Sequence, residues 1–447
     1  MDADGVCRKE GVARVFCERE GRMAAIKQLI ILPCPRPLFF VEKDAHERIT
    51  SDTAGAFCSM LEQVIFRLTR EGSNWRTMIN TPDKTVAAIN AERAGQPALK
   101  DIFKDDFYIG AALSLDQISG NEPDAMVLVE KHFNSITPEN ILKWEEVHPE
   151  PDKYNFEAAD RYVAFGEKHK MHIIGHTFVW FHQTPNWVFQ DESGKPLGRE
   201  ALLERMREHI FTVMGRYKGR IHGWDVVNEA IMADGGFRKC KWLDIIGEDY
   251  VLKAFEYARQ ADPGARLNYN DYDFEIQPKG EGIIRLIKNL QSKGVRLDGV
   301  GIQGHWFQDY PRIEVIESYI QALSKLGVKL MVTEMDVSAL PFYPVDAKAV
   351  DISSFDPETQ KKHNPYPDAL PDSAQNSLAN RYAELFSLFR KHRDKFSRVT
   401  FWAVHDGQSW RNYLPIRGRT DYPMLFDRHC QPKPAFDAVV KIVQDKK

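Results

Sequence analysis

Cysteine is sparse over most of this chain. Four of its six cysteines, Cys7, Cys17, Cys34 and Cys58, fall in the opening stretch, leaving only Cys240 and Cys430 beyond it. No C-x-x-C pair occurs, which argues against a zinc ribbon or a thioredoxin-type centre. Cys240 and Cys430 read as buried thiols, with a disulfide between them as the alternative. Long apolar runs are also missing: none approaches the roughly 18 residues that span a bilayer, and mean hydropathy is -0.44. Charge of one sign is lacking too. Sixty basic residues face 64 acidic ones, for a net charge of -4, without the basic excess of a nucleic-acid protein. Met1 is followed by Asp-Ala-Asp-Gly, acidic where a secretion signal would be basic.

Several cofactor signatures are absent or out of context. There is no P-loop and no G-x-S-x-G elbow. Gly299 to Gly304 fits G-x-G-x-x-G, but it lies within an apolar strand and runs into His305-Trp306-Phe307 rather than a helix. His172 and His176 share one face of a strand without an acidic partner, which does not make a zinc site. The expectation is therefore no metal and no cofactor.

The first 98 residues keep no sustained period. Pieces such as Leu29-Ile30-Ile31-Leu32 alternate with charges and prolines. Residues 1–98 read as an irregular extension, poorly ordered or an artefact of the assumed start, with a small independent domain as the alternative. Over residues 99–447, β-type runs alternate with amphipathic helical runs. Strands are expected at Phe107-Ala112, Phe133-Thr137, His172-Thr177, Ile221-Val227, Arg266-Tyr269, Gly299-Gln303, Leu330-Thr333 and Val399-Trp402. Eight strand–helix units predict an α/β fold, a closed (β/α)8 TIM barrel; a doubly wound open sheet is the alternative. Pro341 to Ala374 exceeds ordinary connection lengths, and reads equally as a rim or lid segment or as solvated decoration.

Two glutamates stand out. Glu229 ends Trp-Asp-Val-Val-Asn-Glu and Glu334 sits in Val-Thr-Glu-Met-Asp, each after a buried-strand run. In such barrels the active site gathers at the carboxyl ends of the strands. Those ends here carry amides, imidazoles, carboxylates and indoles: Thr137-Pro138-Glu139-Asn140 through Lys143, His176 through Gln183, Asn228-Glu229, Asn270-Asp271-Tyr272, Gln303-Gly304-His305, Glu334 with Asp336, and Trp402 through Trp410. A sugar needs that mixture, since it offers hydroxyls at its edge and C–H groups on its faces. A carboxyl pair performs glycoside hydrolysis, one as acid and the other as nucleophile or base.

The motifs W-D-V-V-N-E, T-E-M-D and T-P-E-N-x-x-K-W-E together resemble glycoside hydrolase family 10, the xylanase family, over residues 99 to 445. The resemblance implies a (β/α)8 barrel in which Glu334 is the nucleophile and Glu229 the general acid/base of a retaining endo-1,4-β-xylanase. It implies that Glu139, Asn140, Lys143, His176, Trp180 and Gln183 bind sugar, as do Asn228, Gln303, His305, Trp402 and Trp410. Tyr272 would stack on the leaving-group side, and Asp336 would orient His305 against Glu334. Two close carboxyls do not readily ionise together, which helps keep the acid protonated. The chain departs from the family pattern at Phe181, where histidine is common, and over 405–409. The partners implied are xylan and xylo-oligosaccharides, with no nucleic acid, no membrane and a monomeric state. A secreted location, extracellular or periplasmic, is expected despite the missing signal. The alternatives are a barrel glycosidase acting on glucan or mannan, and a non-catalytic carbohydrate-binding barrel.

Overall fold

A computed structural model describes residue 95, residues 97–343 and 349–444, and short strands between residues 12 and 41. The chain divides into two compact units, Met1–Ala94 and Gly95–Lys447. In the first, Val12–Ala13, Leu29–Ile31 and Phe39–Val41 pair antiparallel, and Phe16–Arg19 forms a hairpin with Arg22–Ala25. The remainder of the expectation for residues 1–98, including Cys7, Cys34 and Cys58, lies outside the described residues.

The second unit is a closed barrel of eight parallel strands: β1 (Tyr108–Leu113), β2 (Ser135–Pro138), β3 (His172–Val179), β4 (Gly223–Asn228), β5 (Arg266–Asp271), β6 (Gly299–Ile302), β7 (Lys329–Ser338) and β8 (Phe396–Phe401). Each pairs with its sequence neighbour, and β8 closes the ring on β1 through Arg398↔Tyr108 and Phe401↔Ala111. Successive strands are joined by α1 (Pro123–His132), α2 (Glu157–Lys168), α3 (Arg199–Arg216), α4 (Tyr250–Ala261), α5 (Gln277–Ser292), α6 (Ile313–Ser324) and α7 (Asp372–Lys391); α8 (Pro434–Gln444) follows the last strand. The open-sheet alternative is thereby excluded.

Strands covered on both faces read as continuous apolar runs rather than alternations, and β2 and β4 are buried at every position. The helices bury one stripe each. In α2 it is Ala159, Tyr162, Val163 and Gly166, the i, i+3, i+4, i+7 spacing of a single face. Tyr162 then fastens α2 to the barrel, its hydroxyl proton shared between the carbonyls of Ile136 on β2 and Ile174 on β3, both 2.8 Å away. Two glycines admit large neighbours. A Cβ at Gly175 would run into the Trp224 indole, and one at Gly301 would displace the side chain of Asn270.

The barrel floor is polar. Arg398, Asp225 and Asn268 are buried there, with Arg398 and Asn268 each 3.4 Å from Asp225 Oδ1. β7 is much longer than Leu330-Thr333, because Glu334 and Asp336 interrupt the apolar run without interrupting the strand. A short strand, His305–Phe307, pairs with its distal half through His305↔Asp336. Cys240 and Cys430 both remain thiols.

Candidate active site

The carboxyl ends of the strands gather the chemistry. Glu334 lies within β7, 5 % exposed. Its Oε1 accepts from Asn270 Nδ2 at 2.6 Å, and its Oε2 lies 3.3 Å from His305 Nε2. Glu229 comes directly after β4 with a left-handed backbone, φ 57°. Its Oε1 accepts from Asn228 Nδ2 and from Gln303 Nε2, each at 3.0 Å. The two carboxyls are linked through amides. Asn270 Nδ2 also donates to Asn228 Oδ1 at 2.8 Å, and the Gln303 main-chain carbonyl accepts from the Glu334 N–H at 2.8 Å. Thr333 fixes the Asn270 amide by donating to its Oδ1 at 2.6 Å.

Charge is arranged unevenly around the pair. His305 Nδ1 lies 2.9 Å from Asp336 Oδ2. Burial opposes the imidazolium, but Asp336 and then Glu334 outweigh it and raise the His305 pKa to about 9. At neutral pH both ring nitrogens therefore carry protons, and a cation stands against Glu334. Asp336 is fully buried and also accepts from Trp410 Nε1 at 2.8 Å and Arg411 Nε at 2.6 Å. Burial opposes its ionisation too, but Arg411 and His305 hold its pKa below the usual carboxylate range.

A second cluster joins the loops after β2 and β3. Lys143 Nζ donates to Asn140 Oδ1 and Gln183 Oε1, both at 2.9 Å, and lies 4.6 Å from the centre of the Trp180 ring. Burial lowers the Lys143 pKa, with Glu334, Glu139 and Glu229 pulling the other way. Glu139 is the counterpart: burial raises its pKa and Lys143 opposes the rise. This half of the site is a charged, amide-rich cleft with one indole face.

His176 sits deeper than the others. It is 1 % exposed, its Nδ1 is 3.1 Å from Asp225 Oδ2, and its ring meets Trp402 edge-on at 5.3 Å. Tyr272 stands across the site, half-buried; its hydroxyl accepts from Arg238 Nη2 at 2.6 Å, and Lys279 Nζ lies 3.2 Å from its ring centre. Lys279 is held by Asp271 at 2.8 Å. Beyond His305 opens a cavity of about 840 Å³, lined among others by Glu275, Phe307, Tyr310 and, from the long segment after β7, Phe342 and Tyr366. That segment therefore contributes to the rim.

The residues expected to meet the sugar thus fall at the carboxyl end of the barrel or just beneath it. Asn270, seen in the sequence only as part of a strand end, takes a central place, and three more residues belong with the group: Arg411, Arg238 and Lys279. Asn270 was legible as an amide ending an apolar strand, and Arg411 as the neighbour of Trp410. Arg238 and Lys279 lie in a loop and a helix, where an isolated cation reads as solvated.

A sequence profile described as "Glycosyl hydrolase family 10" matches residues 98–442. An endo-1,4-beta-xylanase A from Xylanibacter ruminicola is 41% identical over 356 residues, which is 80% of this chain and 96% of the relative. The solved structure of an endoxylanase retrieved from a sugarcane soil metagenome superposes with a TM-score of 0.74 at 43% identity, covering 77% of this chain and 100% of that one. A further structure, solved in complex with xylotriose, superposes with a TM-score of 0.68 at 36% identity, covering 77% of this chain and 99% of that one.

Proposed function

The chain belongs to glycosyl hydrolase family 10, and from that membership we propose that it is an endo-1,4-β-xylanase acting with retention of anomeric configuration. Glu334 is the nucleophile and Glu229 the general acid/base. The observation that carries this reading is the amide bridge Glu229–Asn228–Asn270–Glu334. It supports two carboxyls that act on one glycosidic bond, which retention requires to stand about 5–5.5 Å apart.

In the first step Glu334 Oε forms a bond to the anomeric carbon while the bond to the leaving oxygen breaks. The Glu229 carboxyl gives its proton to that oxygen. In the second, the Glu229 carboxylate takes a proton from water as the water oxygen bonds to the anomeric carbon and frees Glu334. The protonated His305 faces the Glu334 carboxylate before it attacks and again as it leaves, and Asp336 with Arg411 keeps His305 oriented. Asn228 is placed to bind the sugar 2-hydroxyl. Glu139, Asn140, Lys143, Trp180 and Gln183 hold the neighbouring sugar on one side, and Tyr272 stacks on the leaving-group side. His176 and Trp402 line the floor beneath the cleaved residue.

The substrate reading is supported by the relatives, which are named xylanases, and by a related structure solved in complex with xylotriose. A polymeric substrate supports a location outside the cytoplasm, and we read the enzyme as a monomer. Among the described residues no helix is long and apolar enough to cross a membrane. The test is hydrolysis of xylan, glucan and mannan side by side, with the product anomer followed by NMR. Fast release of β-configured xylo-oligosaccharides is expected. Initial α-anomers would overturn retention, and preference for glucan or mannan would overturn the substrate.

A further inference from the structure

Arg238 is only 7 % exposed, yet it lies in the loop after β4 rather than in the barrel. That loop is pinned as a tight return: Ile231 bridges Phe237, and the Arg238 N–H donates to the Ala230 carbonyl at 2.7 Å. The guanidinium reaches three places at once. Its Nε donates to the main-chain carbonyl of Glu229 at 2.8 Å, its Nη2 donates to the Tyr272 hydroxyl at 2.6 Å, and its plane lies 4.2 Å from the centre of the Phe181 ring. A left-handed backbone at a residue other than glycine persists only where its surroundings enforce it. At Glu229 the Arg238 fork holds the carbonyl, while the Asn270 carbonyl accepts from the Glu229 N–H at 2.9 Å.

We infer that Arg238 is a positioning residue that couples the Glu229 main chain to the Tyr272 ring, with Phe181 as its apolar platform. This rests on the proposed roles of Glu229 and Tyr272. Only arginine has a planar fork that can donate in two directions while stacking on an aromatic face. Phe181, where the family commonly has histidine, suits this use: an imidazole there would place a titratable group against the permanently charged guanidinium. Through this link the grip on the leaving-group sugar and the aim of the proton donor are set together. Arg238 touches neither the scissile bond nor the nucleophile.

The test compares xylotetraose, whose leaving group needs both a proton and a stacking surface, with dinitrophenyl β-xylobioside, whose leaving group needs neither. Arg238→Met is expected to lower kcat/KM for xylotetraose by about 30-fold or more, with both kcat and KM affected, and that for the aryl substrate by less than about threefold. Arg238→Lys should recover only a minor part of the loss. Tyr272→Phe, which leaves Arg238 in place, should combine with Arg238→Lys to give less than the product of the two single effects; this pair carries the test should Arg238→Met not fold. Equal losses on both substrates, no loss, or a multiplicative double variant would overturn the inference. Glu229→Ala in the same assay separates the two readings. If it fails to discriminate between the substrates, the acid/base assignment falls and the inference with it. If it discriminates and Arg238→Met does not, only the inference falls.

Discussion

Asn270 Nδ2 stands 2.6 Å from Glu334 Oε1 and 2.8 Å from Asn228 Oδ1, so one amide orients a carboxylate on β7 and an amide on β4. Its place is set by Thr333 and by the space that Gly301 leaves open. Asn270→Ala is expected to reduce xylan turnover by about 100-fold, the scale for removing one aimed donor, with the fold intact by circular dichroism. A loss below about threefold would show that the amide does not position the pair.

Removing the carboxyls themselves separates their roles. Glu334→Ala should lower activity on every substrate by about 10⁴-fold or more, with added azide giving an α-configured glycosyl azide. Glu229→Ala should lower kcat/KM for xylan by about 10²–10⁴-fold while sparing kcat/KM for aryl xylosides with good leaving groups, whose kcat still falls because the second step loses its base. Substantial activity in Glu334→Ala, or a uniform loss in Glu229→Ala, would reverse the assignment.

His305 gives stability a pH dependence. Its pKa is raised to about 9 in the fold, above the value near 6.5 of an exposed imidazole. The unfolded chain then gives up its proton first as pH rises, so the stabilisation is full below about pH 6.5 and is lost through pH 9. Melting temperatures measured across that window should fall, and His305→Gln should flatten the decline. An unchanged slope in the variant would refute the charged form of His305.

Acid should act through other histidines. His132 packs against Phe426 and Phe436 and its pKa is lowered by burial, then by Lys131 and Lys100, to about 3. Here the sign is opposite: the neutral ring contributes stability above about pH 6.5 that fades as pH falls toward 3. His132→Phe should shift the acid unfolding midpoint to lower pH. A midpoint unmoved from the parent's would mean that this ring does not govern acid unfolding.

On the barrel floor, Arg398 faces Asp225 with both side chains 1 % exposed. Arg398→Leu leaves that carboxylate without its guanidinium and should cost about 3–5 kcal/mol in urea unfolding. A cost below about 1 kcal/mol would show that His176 and Asn268 suffice to hold Asp225.

The eight strand–helix units were legible because burial on both faces leaves continuous β-branched runs, and helices that cover them leave a one-sided stripe. The ends of β7 were not, because Glu334 and Asp336 look like a strand stop until His305–Phe307 is seen to pair beside them. The two glutamates proposed to cut were legible from their motifs. What linked them was not, since the Asn270 bridge joins residues far apart in the chain. Arg238 was hidden for a different reason: its role depends on Phe181 and Tyr272 arriving from two other loops.

Strand residues two apart face the same way, so Glu334 and Asp336 on β7 enter the site together. A slip of one position against β6 would turn both out of it at once. A misregistered molecule would then be silent, with no altered preference to betray it. The specific activity of a preparation therefore counts the barrels that closed in register, and its substrate profile reports on those molecules alone.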